Sequence, residues 1–198
     1  ERLSELEEVV QQTFGADLLI TPDMVQGESE SLNAAISTSG WPTLGEVRGR
    51  SMVVLHTGGE LRDVYTEGQT TTSGRLMFPD CGGNIEWPVS AFHSWNNPES
   101  GDLMFNISTI VADGHMVRTR ADADLQEPRE QDYSRLEAAL SSGAHFISTD
   151  LPVATEGFDY VAEIPDGTPS RCNPVSAPDE CESRDVEDPD ILLSCDDG

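Results

Sequence analysis

His115-Met-Val-Arg-Thr-Arg-Ala-Asp-Ala-Asp124, followed one helix later by Ser142-Gly-Ala-His-Phe-Ile-Ser-Thr-Asp-Leu-Pro152, decides how this chain is read. The two stretches read as strand, loop, helix, strand. Each strand ends in charged and hydroxyl groups: Arg118, Arg120, Asp122 and Asp124 on the first, Ser148, Thr149 and Asp150 on the second. In a parallel α/β protein, ligands bind at the carboxyl ends of strands. Two successive strands with this ending mark a site.

Strand alternation puts Arg118, Arg120 and Asp122 on one side and Val117, Thr119 and Ala121 on the other. The uncharged set suits packing against helices, so the charged set points to the centre or mouth of a barrel. Burying two guanidinium groups is costly unless carboxylates or a ligand anion pair with them. A phosphate suits the planar fork, whose N–H groups match its oxygens two at a time. The alternative is an internal layer of Arg–Asp pairs with no ligand. Asp150 is expected either to orient a substrate hydroxyl or a basic partner such as Arg120, or to cap the turn that follows.

Outward from this pair, the chain alternates helices and short strands. A helix runs from the first residues to Phe14, with Leu3, Leu6, Val10 and Phe14 on one face. Asp17–Pro22 is a short strand closed by Pro22, and residues 31–37 form a helix capped by Ser29 or Ser31. Trp41–Arg50 is a turn with a short helix. Ser51-Met-Val-Val-Leu-His56 is a continuous apolar strand of the doubly buried kind. Arg75–Pro79 is another strand, and residues 80–102 read as a long irregular, functional loop. Phe105–Ala112 is a helix, Met116–Arg120 a strand, Pro128–Ser142 a helix closed by Gly143, and Phe146–Asp150 the last strand. Strands separated by helices make βα units and a parallel sheet. The pattern suits the C-terminal portion of a (β/α)8 barrel, or part of an open doubly wound sheet. Residues 1–156 are read as that portion, and 157–198 as an acidic, Pro-rich, irregular extension.

The 198 residues carry 37 acidic and 11 basic side chains, a formal charge of −26, and every basic residue is arginine. Such a surface repels nucleic acids and anionic membranes, which argues against nucleic-acid binding. It fits solubility in salt or a bias toward arginine, with a cation-binding surface as the alternative. No apolar run is long enough for a transmembrane span, and no signal peptide is visible. The chain is expected to start partway through a longer protein.

Of the four cysteines, Cys172 and Cys181 flank a Pro-containing loop near the chain end. A local disulfide is expected there, and with it an exported, extracellular or periplasmic protein. No Cys-x-x-Cys or nearby His supports zinc, and free thiols are the remaining alternative. A second bridge between Cys81 and Cys195 is left open. Among the histidines, His56 alone closes a strand; acid–base work there requires a partner that the sequence does not reveal. His93, His115 and His145 fall in a loop or ahead of strands, at the wrong end for a site.

Leu19-Ile-Thr-Pro-Asp23, Gly40-Trp-Pro-Thr-Leu44, Val47-Arg-Gly-Arg50, Val117–Asp124, Ser142–Asp150 and Gly167-Thr-Pro-Ser-Arg-Cys-Asn-Pro174 together resemble the bacterial and fungal calcium-dependent phosphoinositide phospholipase C family. That family is related to glycerophosphodiester phosphodiesterases on the same barrel. The resemblance implies phosphodiester cleavage in a barrel mouth, with two histidines as general base and acid and a calcium ion stabilising charge on the phosphate. It implies that these histidines and the main calcium ligands lie upstream of Glu1. Within this chain it leaves Arg118, Arg120, Asp122 and Asp150 as substrate-side residues, and a phospholipid or glycerophosphodiester as substrate. Two positions depart from the pattern: His56 stands where the family tends to have Asp, and Asn97 stands in an Asn-Asp-Pro-like turn at Asn96-Asn-Pro98. Either departure implies altered substrate choice or a divergent member. A non-catalytic secreted module holding a phosphate or sugar ligand is the alternative. A sugar hydrolase ranks last, since only Asp122 and Asp150 offer the strand-end carboxylates it needs.

Overall fold

The computed structural model describes residues 2–99, 106–165 and 169–187. The chain divides into two compact units, Glu1–Trp95 with Ala112–Val117, and Asn96–Val111 with Arg118–Gly198. The described strands lie in small sheets whose pairs are parallel, and they do not close into a barrel. No described helix is long and apolar enough to cross a membrane.

In the first unit, α1 (Arg2–Phe14) leads through a 3-10 turn to β1 (Leu19–Ile20). Of the apolar face expected on α1, Val10 is buried and Leu3 partly so, whereas Leu6 and Phe14 remain exposed. Pro22 opens a helix, α2 (Pro22–Gln26), because Thr21 caps it by accepting the Met24 N–H at 3.2 Å. In the same way Ser31 caps α3 (Leu32–Thr38) through the Ala34 N–H. After α4 (Leu44–Val47), the apolar run 51–56 is divided rather than continuous. Its first half, β2 (Ser51–Met52), pairs with β1, and its second half, β3 (Val54–Leu55), pairs with β4 (Phe78–Pro79).

The segment read as one irregular loop contains a strand, β5 (Phe92–Ser94), bridged to Asp80 and followed in register by Met116, whose N–H donates to Ala91 O at 2.9 Å. His93 therefore sits in a strand and is fully buried. Around these strands one cluster gathers Val25, Leu32, Ile36, Phe78, Ala91 and Phe92, and Trp41 leans on Phe78 at 5.3 Å. A second gathers Val10, Leu19, Leu55, Tyr65 and Met77. Tyr65, at the end of α5 (Gly59–Tyr65), is fully buried; its hydroxyl donates to Glu7 and accepts the Met77 N–H, tying three segments together. Burial raises its pKa well beyond the usual phenol range.

The second unit contains α6 (Ile107–Ala112) up to Val111, and the end of β6 (Met116–Arg120). Strand β7 (Phe146–Ser148) pairs with β6 in parallel, Arg118 opposite Phe146 and Arg120 opposite Ser148. The helix expected over 128–142 is two helices, α7 (Gln126–Glu130) and α8 (Ser134–Ser141). Between them Gln131 adopts φ 54°, and the Asp132 carboxylate takes the Ser134 N–H to start the second helix. Past β7, the tail is fastened to the end of α8: Asn173 donates to Gly143 O at 2.7 Å, and Arg171 donates to Leu140 O. A short helix, α9 (Ser183–Val186), follows the Cys172–Cys181 disulfide. Cys81 is a buried free thiol, its pKa pushed up to about 11 chiefly by burial; Cys195 lies outside the described residues.

Candidate functional site

In the second unit the residues singled out from the sequence converge on the carboxyl ends of β6 and β7. Val117, Thr119 and Ala121 are fully buried, while Arg118 and Arg120 are half-buried on the other side, as strand alternation requires. Arg118 is held in place: its Nε donates to Ser148 Oγ at 2.8 Å and its Nη1 to Asn96 Oδ1 at 2.5 Å. Asn96 is itself anchored by Arg135, whose Nη2 donates to its carbonyl at 2.6 Å and whose Nη1 pairs with Glu127 at 3.1 Å. Burial raises the Glu127 pKa, but the Ala123 N–H and the Arg135 guanidinium outweigh it and leave the carboxyl below its ordinary range.

Arg120 differs. No described residue gives its side chain a hydrogen bond or an ion pair, and no carboxylate lies within 4.0 Å of its guanidinium among the described residues. Its five N–H donors are left to solvent or to an anion.

Asp122 lies beyond the last residue of β6, so its direction is no longer set by strand alternation. It is buried, accepting the Thr149 hydroxyl on Oδ2 at 2.5 Å and the Asp150 N–H on Oδ1 at 2.8 Å. Thr149 Oγ1 in turn accepts the Leu151 N–H at 3.0 Å. These bonds fix the turn that carries Asp150, whose own side chain is exposed.

In the first unit a second polar group forms at the ends of three neighbouring parallel strands, and reading the sequence missed two of its three members. His56 follows β3, Asp80 follows β4, and Ser94 ends β5. His56 Nδ1 lies 2.7 Å from Asp80 Oδ2 and 3.1 Å from Ser94 Oγ. The other Asp80 oxygen accepts the Gly82 N–H at 3.0 Å and the Ser94 N–H at 2.9 Å. Asp80's backbone carbonyl receives Arg62 Nη1 at 3.0 Å, and the Arg62 guanidinium lies over the Trp87 ring. The available signal was a pair of short apolar runs, Met77-Phe78-Pro79 and Ala91-Phe92, each leading into a polar residue.

Beneath this group His93 and His115 are buried together. Gly83 donates its N–H to His93 Nδ1 at 3.0 Å, so His93 carries its proton on Nε2, which lies 3.1 Å from both His115 Nδ1 and Ser90 Oγ. Burial, with His115 alongside, lowers the His93 pKa to about 3, and burial lowers that of His115 as well. Both rings are neutral packing elements at neutral pH.

A calcium ion takes about six to eight oxygen ligands. Among the described residues no three His, Cys, Asp or Glu side chains converge to hold a metal. Asp122 spends both oxygens on protein donors. The residues described here do not fit the ion by themselves.

The family model for phosphoinositide phospholipase C, Ca2+-dependent, matches residues 1–174. No curated protein sequence matches the chain. Among solved structures, the chain is similar to a Ca2+-dependent phosphatidylinositol-specific phospholipase C from Streptomyces antibioticus, at 12% identity and a TM-score of 0.52. The match covers 74% of this chain and 57% of that one, and at such identity the likeness is one of fold. With its family model matched across residues 1–174, the chain belongs to the Ca2+-dependent phosphoinositide phospholipase C family.

Proposed function

We propose that the protein containing this chain is a phosphoric diester hydrolase of the phosphoinositide phospholipase C type, acting on a phospholipid or glycerophosphodiester. Arg120 is the observation that carries this reading: a half-buried arginine at a strand's carboxyl end, whose side chain has no hydrogen-bond or ion-pair partner among the described residues. Arg118, two residues back on the same side and oriented by Ser148 and Asn96, completes an anion cradle. The two guanidinium groups bind the non-bridging phosphate oxygens, and their hold tightens as charge develops there in the transition state. Asp150 accepts a hydroxyl from the substrate head group, and Asp122 holds the turn that presents it.

The whole protein, on this reading, is a (β/α)8 barrel to which residues 1–156 contribute. Its proton-transfer histidines and calcium ligands lie outside this chain. Calcium when bound would neutralise phosphate charge. The Cys172–Cys181 disulfide supports an extracellular or periplasmic location. The net charge of −26 argues against nucleic acid as a partner.

The test is hydrolysis of phosphatidylinositol vesicles and of glycerophosphoinositol by the full-length protein, with calcium and with chelator. Release of water-soluble phosphate esters in calcium and its loss on chelation are expected. Failure to cleave either substrate contradicts the reading, and activity indifferent to chelation contradicts its calcium part.

A further inference from the structure

Arg135, on α8, spends a nearly enclosed guanidinium on holding a loop at the surface. Its side chain is 15% exposed, and that of its ion-pair partner Glu127 is 12% exposed. Nη1 donates to Glu127 Oε1 at 3.1 Å and Nη2 to the Asn96 carbonyl at 2.6 Å. The buried Nε has no hydrogen-bond partner among the described residues. The other Glu127 oxygen takes the Ala123 N–H at 2.8 Å. One guanidinium thus ties Asn96, 39 residues away in sequence, to the chain just past β6, and all of these residues belong to the second unit.

Stability alone does not account for this. Enclosing an ion pair costs desolvation that the attraction scarcely repays, and a buried N–H left unmet adds to the cost. Asn96 is exposed, so water could serve its carbonyl as well. What the arrangement does supply is a fixed place for the Asn96 side chain, whose Oδ1 accepts Arg118 Nη1 at 2.5 Å. Ser148 Oγ accepts Nε of the same guanidinium at 2.8 Å. Acceptors on two of its nitrogens set the plane of the Arg118 fork. One of them, Ser148, ends β7 and is placed by the sheet. The other, Asn96, lies in no helix or strand, and Arg135 is the side chain that holds its backbone.

We infer that Arg135 and Asn96 are positioning residues for the phosphate cradle: Arg135 holds Asn96, and Asn96 turns the Arg118 guanidinium toward the phosphate. The inference rests on the hydrolase reading above and adds to it two residues that set the rate through Arg118. A fork aligned before the reaction needs no reorganisation as charge develops on the phosphate oxygens. A displacement of about 1 Å in such a group can cost about 10²-fold in rate.

The experiment measures kcat and KM of the full-length protein on phosphatidylinositol vesicles for wild type, Asn96→Ala, Arg135→Met and the double variant, with thermal melting as a check of folding. Each single variant is expected to lower kcat about tenfold with KM within about twofold, because the fork's alignment matters most as charge develops. The double variant is expected to match the single ones, since both act through one bond to Arg118. Independent losses would instead multiply, to about a hundredfold. Asn96→Ala alters an exposed residue and leaves the Glu127–Arg135 pair in place, so it decides the matter even where Arg135→Met does not fold. If wild type cleaves the lipid and either folded single variant keeps kcat within twofold, the inference is overturned while the hydrolase reading stands. Losses that multiply in the double variant also overturn it. A folded wild-type protein that cleaves no phosphodiester overturns the hydrolase reading itself, and this inference with it.

Discussion

The Asp122 carboxylate and Thr149 are bonded side chain to side chain at 2.5 Å, and the next N–H in the chain, that of Asp150, reaches the other Asp122 oxygen at 2.8 Å. One buried carboxylate thus fixes the end of β7 relative to the end of β6. Replacing it with Ala leaves a buried N–H and a hydroxyl without acceptors, a loss of about 1–3 kcal/mol for each group left unsatisfied. Asp122→Ala is therefore expected to lower the urea midpoint substantially, and Asp122→Asn, which keeps one acceptor oxygen, by less. A midpoint unchanged in Asp122→Ala would show that the turn is held by something else.

Gly143, just past α8, adopts φ +82°, and a β-carbon there would lie 2.5 Å from Val175 Cγ2 in the tail. Gly143→Ala meets both a backbone penalty and a clash, and is expected to destabilise the protein by more than about 1 kcal/mol. Adding Val175→Ala removes the 2.5 Å contact but leaves the β-carbon of residue 175 at 2.9 Å and the φ penalty, so it should recover only part of the loss. Equilibrium unfolding of the single and double variants checks this; full recovery would mean that the backbone conformation costs nothing.

The buried His93–His115 pair makes stability depend on pH with a definite sign. Above about pH 6.5, the ordinary value for an unfolded histidine, neither state binds the proton and the full stability is present. Below it the unfolded chain takes up protons that the buried rings refuse, so stability falls as pH drops, down to about pH 3, where folded His93 titrates. Each refused proton costs about 1.4 kcal/mol per pH unit at most. Urea midpoints between pH 7 and pH 5 should decline in wild type and decline less steeply in His93→Gln. Equal slopes would contradict the assignment.

Much of the second unit could be read from residues 115–152. The alternation Val117-Arg-Thr-Arg-Ala121 predicts a strand with Val117, Thr119 and Ala121 packed on one face and the arginines on the other, and β6 has that form. Asp122 was less legible: strand geometry ends at Arg120, and past it the period of two no longer says where a side chain points. The break between α7 and α8 turns on the left-handed conformation of Gln131, a residue type that gives no signal of it. In the first unit β5 has only three residues, Phe92–Ser94, too few for a period to register between Pro88 and Pro98. With β5 unseen, the sequence offered His56 a strand end but no partner, although Asp80 and Ser94 were both in plain view. Likewise Pro22 is equally able to close a strand or open a helix, and the Thr21 side chain decides between them.

Under the proposed function Arg120 binds the phosphate of the substrate, which kcat/KM of the full-length protein on phosphatidylinositol tests most directly for wild type, Arg120→Ala and Arg120→Lys. Arg120→Ala should fall about 10²–10³-fold, the usual cost of removing one donor to developing charge. Arg120→Lys should recover only part, since a point charge cannot supply the paired N–H groups of the guanidinium. The melting temperature should hold steady, because the Arg120 side chain has no hydrogen-bond or ion-pair partner among the described residues to lose. Arg120→Ala with kcat/KM within twofold of wild type would contradict the account.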